Sequence, residues 1–342
     1  MTVFNAAVIG TGRIGFSLEL DNLRTKICTH SAAYNEHPDF KLVAGADINP
    51  ENLQKFSDYY KIGKSHIYSD YRKMIKDENI DVVSICSWTN THKEIFCSCM
   101  EQKNIKAVFL EKPPALNLKD AEYMLKLADK NKKTVAVNYE RRWEGRYNKV
   151  KEIIQSEQLG NLRCINGNVL AGGFLQANWH KHILKRGGPL LHDGVHLIDI
   201  ILYFCGFPKT TKAKIYKFDK RHIYEHTAFI NFEFKNNINA FLEIGGRRKY
   251  FNFEIDLQFE SGRIIIGNAV SRFFITDKSQ RYSGFTELKE TFFPDYERKP
   301  HFIKALDEIS SALSQKKHKI TSSLKTAIDT MKIIKKIYHP CI

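Results

Sequence analysis

Between Val3 and about residue 138 the chain alternates short apolar runs with segments whose apolar residues recur at helical spacing. The runs are Ala6–Ile9, Lys41–Ala46, Val82–Cys86, Ala107–Leu110 and Thr134–Val137, and Ala121–Lys130 is typical of the helical stretches between them. Strands that alternate with helices pair in parallel through crossovers, which predicts an α/β doubly wound parallel sheet. Ligands on such sheets bind beyond the carboxyl ends of the strands. Gly15, Asp47, Trp88-Thr89-Asn90 and Glu111-Lys112 all fall just past strand ends, on one edge.

After Arg146 the pattern changes. A helix around Tyr147–Gln158 leads through Gly160 to a strand at Leu162–Leu170, then to a loop rich in Gly and His and an apolar helix near Gly194–Phe204. Alternating strands follow at Lys212–Phe218, Thr227–Phe234, Asn239–Ile244, Phe253–Phe259 and Arg263–Ile266, joined by Asn-Asn and Ser-Gly turns. This predicts an α+β domain with a mostly antiparallel open sheet, one face covered by helices. The other face, rich in Phe and Ile, is expected to pair with another subunit as a homodimer or homotetramer. An amphipathic helix, Ser322–Ile337, closes the chain, and the domains are placed at 1–140 and 141–342.

With 342 residues, 43% of them hydrophobic, the chain has enough apolar material for two cores, and it shows no internal repeat. No apolar stretch approaches the roughly 18 residues that span a bilayer, and no export signal is visible, so a soluble cytoplasmic protein is expected. Seven scattered cysteines suit neither a disulfide framework nor a zinc cage. The formal charge of +15 is spread along the whole chain and accompanies no nucleic-acid module, so it predicts a lysine-rich surface that attracts anionic substrates rather than a nucleic-acid interface.

The chemistry begins at Gly10-Thr11-Gly12-Arg13-Ile14-Gly15, directly after the first run. In a strand-turn-helix context such glycines let the backbone approach a pyrophosphate at a helix N-terminus. Asp47, after the second run, suits the adenosine ribose hydroxyls, and its charge repels a 2′-phosphate, so NAD is favoured over NADP. It can also be read as a turn aspartate before Asn49-Pro50. The acidic residue is expected about 20 residues beyond the glycine loop. Phe16 to Cys28 therefore reads as an insertion, a candidate substrate lid, before the helix resumes near Thr29-His30-Ser31.

A second constellation is Gly187-Gly188-Pro189-Leu190-Leu191-His192-Asp193-Gly194-Val195-His196-Leu197-Ile198-Asp199. On a helix His192 and His196 share a face and Asp193 is turned about 100° away. The spacing also occurs in zinc helices, but no Glu stands between the histidines in the H-E-x-x-H manner, and no metal is expected.

Taken in order, the glycine loop, the acidic residue after the second strand, a threonine and histidine after a later strand, Glu111-Lys112-Pro113 and the histidine segment resemble the glucose-fructose oxidoreductase, inositol dehydrogenase and MocA family. The resemblance covers nearly the whole chain. It implies a Rossmann domain, a sheet domain that builds oligomers, and a nicotinamide-dependent oxidoreductase acting on a sugar, cyclitol or nucleotide-sugar. It further implies NAD contacts from Gly10, Gly12, Arg13, Ile14, Gly15, Asp47, Thr89, Asn90, His92 and Glu111. Lys112 becomes the donor to the reacting oxygen and His196 the general base. His192 stands where the polyol dehydrogenases commonly have aspartate, which makes it a further candidate for proton transfer. Arg142, Trp179, His180 and Asp193, with Lys112, are candidate substrate contacts. Arg141-Arg142 also suits interdomain salt bridges, His180 a solvated loop, and His92 the cap of its helix. The alternatives to a dehydrogenase are a non-redox NAD-binding regulator of the same fold and a glycosidase- or lyase-type enzyme that recycles a bound hydride.

Overall fold

The computed structural model describes residues 2–171, 179–217, 224–314 and 319–338, with backbone alone for 179–182. The chain divides into two compact units, Met1–Trp143 with Lys299–Asp329, and Glu144–Arg298 with Thr330–Ile342. The first contains strands β1 (Phe4–Ile9), β2 (Phe40–Ala46), β3 (Ile67–Tyr68), β4 (Val82–Ile85), β5 (Ala107–Leu110) and β6 (Thr134–Val137). They form one parallel sheet in the order β3-β2-β1-β4-β5-β6. Every residue of β4 and β5 is buried, so runs that are apolar but for Ser84, rather than alternating ones, specify them.

Helices α1 (His30–Glu36), α2 (Pro50–Tyr60), α3 (Tyr71–Asp77), α4 (Thr89–Glu101) and α5 (Leu118–Asn131) make the crossovers. Their starts are encoded locally. Asn49 accepts from the amides of Glu51 and Asn52, with Pro50 in the first turn of α2, and Asn117 accepts from the Asp120 amide to open α5. The strand order reverses between β1 and β4, which puts the crevice for a ligand at their carboxyl ends.

The second unit holds α6 (Gly145–Ser156), β7 (Leu162–Leu170), α7 (Trp179–Arg186), a π-helical turn (Leu190–Gly194), α8 (Val195–Cys205), β8 (Thr210–Tyr216), β9 (Thr227–Glu233), β10 (Asn239–Gly245), β11 (Asn252–Phe259), β12 (Gly262–Gly267), β13 (Ser271–Lys278) and β14 (Thr286–Thr291). The strands form one sheet in the order β14-β13-β12-β11-β7-β10-β9-β8. All neighbours are antiparallel except β7 and β10, which run parallel. Leu197 of α8 packs on Gly167 of β7, where an added Cβ would meet its methyl at 3.0 Å, so α8 covers the inner face closely.

The free face differs from the sequence expectation. Ile230, Phe232, Phe253, Ile255 and Leu257 all turn inward and are buried. Strand alternation leaves rows such as Asn166, Phe241, Asn231 and Lys212 on the outer face. Among the described residues Phe229 and Phe241, about half exposed, give its centre apolar character, and Glu243, Glu254 and Asp256 share the same trough. The face is a polar surface around two phenylalanines, because one period-two strand can place its apolar residues on one side only.

Two further helices, α9 (His301–Leu313) and α10 (Leu324–Tyr338), end the described chain. Phe302, Ala305, Leu306 and Ile309 of α9 join Phe4, Tyr34, Phe40, Phe109 and Trp143 in one buried cluster. Each large side chain so buried contributes about 1.5–3 kcal/mol. That apolar stripe returns residues 299–329 to the first unit, whereas the sequence reading puts all of 141–342 in the second. Among the described residues no helix is long and apolar enough to cross a membrane.

Candidate active site

The glycine loop leaves β1 at Gly10, whose φ of +92° lies in the left-handed region and whose amide donates to the Ala46 carbonyl at 2.7 Å. An added Cβ at Gly10 would meet the Cys86 backbone at 2.7 Å, and one at Gly15 would stand 1.9 Å from the Gly10 carbonyl oxygen. Those two glycines are demanded by the fold itself. Gly12 is different, since a Cβ there meets nothing nearer than Asn52 Nδ2 at 3.7 Å. Nothing among the described residues requires a bare backbone at Gly12, whereas a pyrophosphate lying on the loop does. The residues present therefore fit a dinucleotide. Arg13 and Ile14 complete the loop, with Ile14 packed on the core.

The insertion is visible as a detour in one helix start. The amides of His30 and Ser31 donate to the carbonyls of Ile14 and Gly15, as if residues 16–28 were absent from the chain. The detour is held from within. Buried Glu19 accepts from the Cys28 amide at 3.1 Å and the Thr29 hydroxyl at 3.1 Å, while the Lys26 ammonium caps the carbonyls of Leu18, Glu19 and Asp21. Phe16 is buried with its ring against Phe56, Tyr59 and Tyr60. Burial and the neighbouring Glu19 push the Cys28 thiol up to about 11, which leaves it a packing group.

Asp47 follows β2 and divides its oxygens. Oδ1 accepts from the Asn49 amide at 2.8 Å, the turn that starts α2, and Oδ2 accepts from the buried Thr11 hydroxyl of the glycine loop at 3.2 Å. The turn reading is thus realised, and the same carboxylate also meets the glycine loop.

At the end of β5, Glu111 lies 7% exposed beneath the Lys112–Pro113 bond, which is cis. Its Oε1 accepts from His30 Nε2 at 3.0 Å and Asn138 Nδ2 at 2.6 Å, and Oε2 accepts from the Lys112 amide at 3.2 Å. His30 Nδ1 meets Ser84 Oγ at 2.9 Å, and Tyr34 OH meets the same oxygen at 2.9 Å. The tautomer that satisfies every member donates from Tyr34 to Ser84, from Ser84 to His30 and from His30 to Glu111. Burial raises the Glu111 carboxyl, but His30, Lys112 and Asn138 outweigh it and hold the group below its ordinary range. Lys112 itself is half-buried.

His92 braces the same turn from the other side. It is 1% exposed, with Nδ1 3.0 Å from the Pro113 carbonyl oxygen and Nε2 3.0 Å from that of Ser87. Burial lowers its pKa against the pull of those carbonyls. Both His92 nitrogens thus face backbone, and Glu111 is enclosed by side chains of its own unit. Thr89 is buried and Asn90 exposed in the first turn of α4. Arg142 is 7% exposed and its guanidinium donates to the Thr321 carbonyl, while Arg141 pairs with Glu140 at 3.0 Å.

In the second unit the histidine segment is not a plain α-helix. Gly187, with φ +83°, ends α7, and Leu190–Gly194 form a π turn that runs into α8. A π turn widens the helical register by one residue and recurs at functional sites, and His192 lies within it. Asp193 lies alongside His192 in that turn. Their side chains are exposed to similar degrees, and His192 Nδ1 lies 2.7 Å from Asp193 Oδ1. His196 follows in the first turn of α8, half-buried. Asp199, one turn further along α8, is buried and accepts from the Thr330 hydroxyl at 2.9 Å. Trp179 and His180 open α7, and their side chains lie outside the described residues.

Residues 4–139 match a family described as an oxidoreductase family with an NAD-binding Rossmann fold, and residues 147–265 match the GFO/IDH/MocA C-terminal domain. A myo-inositol 2-dehydrogenase of Thermotoga maritima is 33% identical over 202 residues, 58% of this chain and 54% of the relative. A D-glucoside 3-dehydrogenase of Escherichia coli is 26% identical over 216 residues, 63% of this chain and 57% of the relative. The matched stretch thus spans little more than half the length of these relatives. Among solved structures, an inositol dehydrogenase homolog of Azotobacter vinelandii complexed with NAD+ superposes with a TM-score of 0.80 at 16% identity, covering 100% of this chain and 97% of the other. The WlbA dehydrogenase of Bordetella pertussis, in complex with NADH and UDP-GlcNAcA, gives 0.77 at 18% identity, covering 98% and 95%. At those identities the likeness is one of fold.

Proposed function

The chain belongs to the GFO/IDH/MocA oxidoreductase family, and on that premise we propose that it is an NAD-dependent dehydrogenase or reductase acting at a secondary alcohol or ketone carbon of a sugar, cyclitol or nucleotide-sugar. The observation that carries the reading is Gly12, a bare position the fold does not need, on the strand edge that also holds Asp47 and the braced Lys112. Gly10, Gly12, Arg13, Ile14 and Gly15 hold the pyrophosphate. The Asp47 carboxylate accepts from the ribose hydroxyls and disfavours a 2′-phosphate, hence NAD over NADP. Thr89 and Asn90 line the nicotinamide side of the same edge.

Bound nicotinamide supplies the hydride acceptor or donor. The protein handles the proton and the charge. The Lys112 ammonium donates to the reacting oxygen and stabilises the negative charge that develops there. His196 takes the hydroxyl proton as general base. His192, held by Asp193 at 2.7 Å, fills the place where related polyol dehydrogenases carry aspartate, and the pair supplies the carboxylate at one remove. Arg142, whose guanidinium donates to the Thr321 carbonyl, and Asp193 are the candidate substrate contacts beside Lys112. Self-association through the open sheet, centred on Phe229 and Phe241, belongs to the same reading.

The test is NADH formation at its absorbance band with NAD and a panel of myo-inositol, methyl glucosides and UDP-N-acetylglucosamine, after checking for NAD retained on purification. Turnover of any member supports the assignment. NAD binding without turnover of sugars, cyclitols or nucleotide-sugars in either direction would refute it.

A further inference from the structure

We infer that Glu225 is the positioning residue for the histidine segment, a carboxylate delivered from 35 residues away to set the pose of His192 and His196. The inference rests on the reading of those histidines as the acid-base groups. Glu225 is fully buried just before β9. One oxygen accepts from the Leu190 amide at 2.7 Å, the first residue of the π turn, and the other accepts from Tyr338 OH at 2.7 Å, at the end of α10. A helical stretch starting at Leu190 has unsatisfied amides and a partial positive charge at that end, and a carboxylate answers both.

The contact also accounts for the second glycine of the Gly187-Gly188 pair. An added Cβ at Gly188 would stand 2.7 Å from both Glu225 oxygens, so any larger residue there must push the carboxylate aside. The Gly188 carbonyl in turn accepts from the amides of Leu191 at 3.1 Å and His192 at 2.8 Å. Glu225 therefore grips the backbone that itself holds His192. Burial raises its carboxyl, and the Leu190 amide and Tyr338 hydroxyl pull it back. The Tyr338 phenol is pushed up by burial and by Glu225, which keeps it a donor. Nothing in this arrangement touches substrate, so Glu225 acts through the segment and not on the reaction.

The test reads the two imidazoles directly, without substrate, by long-range 1H–15N NMR titration of the apo protein. Among the thirteen histidines, His192 and His196 are identified by the signals lost in H192N and H196N, and surface His66 serves as control. In E225A at least one of the two midpoints should move by about half a pH unit or more while His66 stays. E225Q, which keeps an acceptor on the Leu190 amide, should restore the parent values within about 0.2 unit. G188A, which forces the carboxylate off its place, should shift the midpoints as E225A does, and Y338F should do so in part. These two variants carry the test if E225A loses its fold. Parent midpoints in a folded E225A, or in both G188A and Y338F, would overturn the inference. If H196N leaves turnover intact the acid-base reading falls, and the midpoints still decide whether Glu225 positions the segment.

Discussion

His30 and Glu111 stand 81 residues apart in the chain and 3.0 Å apart in a buried pair that ties α1 to the turn carrying Lys112. Removing His30 takes one donor from a buried carboxylate, and the loss of a hydrogen bond to a charged group costs about 1.5–3 kcal/mol. His30→Leu should lower unfolding stability on that scale by denaturant titration. The sign with pH follows from Glu111, whose folded pKa is depressed below its ordinary 4.5. Its contribution is complete above the unfolded value and is lost as pH falls through the folded one. Parent stability should therefore decline in that acid window more steeply than that of Glu111→Gln; equal slopes would show that Glu111 is not ionised in the folded protein.

Gly12 and Gly15 separate fold from ligand. Gly15→Ala places a Cβ 1.9 Å from the Gly10 carbonyl oxygen and should cost about 1–3 kcal/mol or more in stability. Gly12→Ala meets only ordinary contacts and should melt within a few degrees of the parent, yet lose NAD affinity at least tenfold by calorimetry. A Gly12→Ala protein that binds NAD normally would remove the pyrophosphate from this loop.

Asp47 sets cofactor choice in the proposed reading. Loss of a hydrogen bond to a charged group costs about 1.5–3 kcal/mol. Asp47→Ala should weaken NAD by that amount, and NADP should gain relative to NAD because the repulsion is gone. Fluorescence titration of both cofactors checks it, and tighter NADP than NAD binding by the parent protein would overturn the preference.

What the sequence made legible is what short-range patterns encode. The five apolar runs became β1, β2, β4, β5 and β6, and in the central β4 and β5, buried on both faces, no alternation is needed. Residues 16–28 could be recognised as an insertion because excising them puts Thr29 beside Gly15, and the structure closes that gap with backbone hydrogen bonds. The stripe of Phe302, Ala305, Leu306 and Ile309 was available to reading and predicts α9, yet no helix was expected there. β13 and β14 carry little such signal, since β14 is an almost wholly exposed edge strand of polar residues. His30 and Glu225 have no local signature at all. Each is a polar group whose partner is supplied by the tertiary fold, and the π turn likewise follows from the packing around Gly187 and Gly188 rather than from any hydrophobic period.

Phe229 and Phe241, about half exposed at the centre of the free sheet face, are the expected seat of self-association. Sedimentation at micromolar concentration should show at least a dimer, and replacing both residues by Lys should yield monomers with unchanged melting, because neither side chain enters the core. A monomeric parent protein would refute this part of the reading.

Lys112, His196 and the His192–Asp193 pair are expected to divide the chemistry. General acid-base groups contribute roughly 100- to 10,000-fold. On whichever panel substrate is turned over, Lys112→Ala and His196→Ala should each lower kcat on that scale while NAD still binds, because neither residue holds the pyrophosphate. Asp193→Asn tests the pair. It removes the negative charge beside His192 Nδ1 but keeps an acceptor oxygen, so the imidazolium loses its stabilisation and the midpoint of the kcat profile should shift to lower pH. His192→Asp places a carboxylate where related polyol dehydrogenases have one, and it should retain more activity than His192→Ala. Equal activity in those two variants, with a profile that Asp193→Asn leaves unmoved, would make His192 a bystander and return the proton transfer to His196 alone.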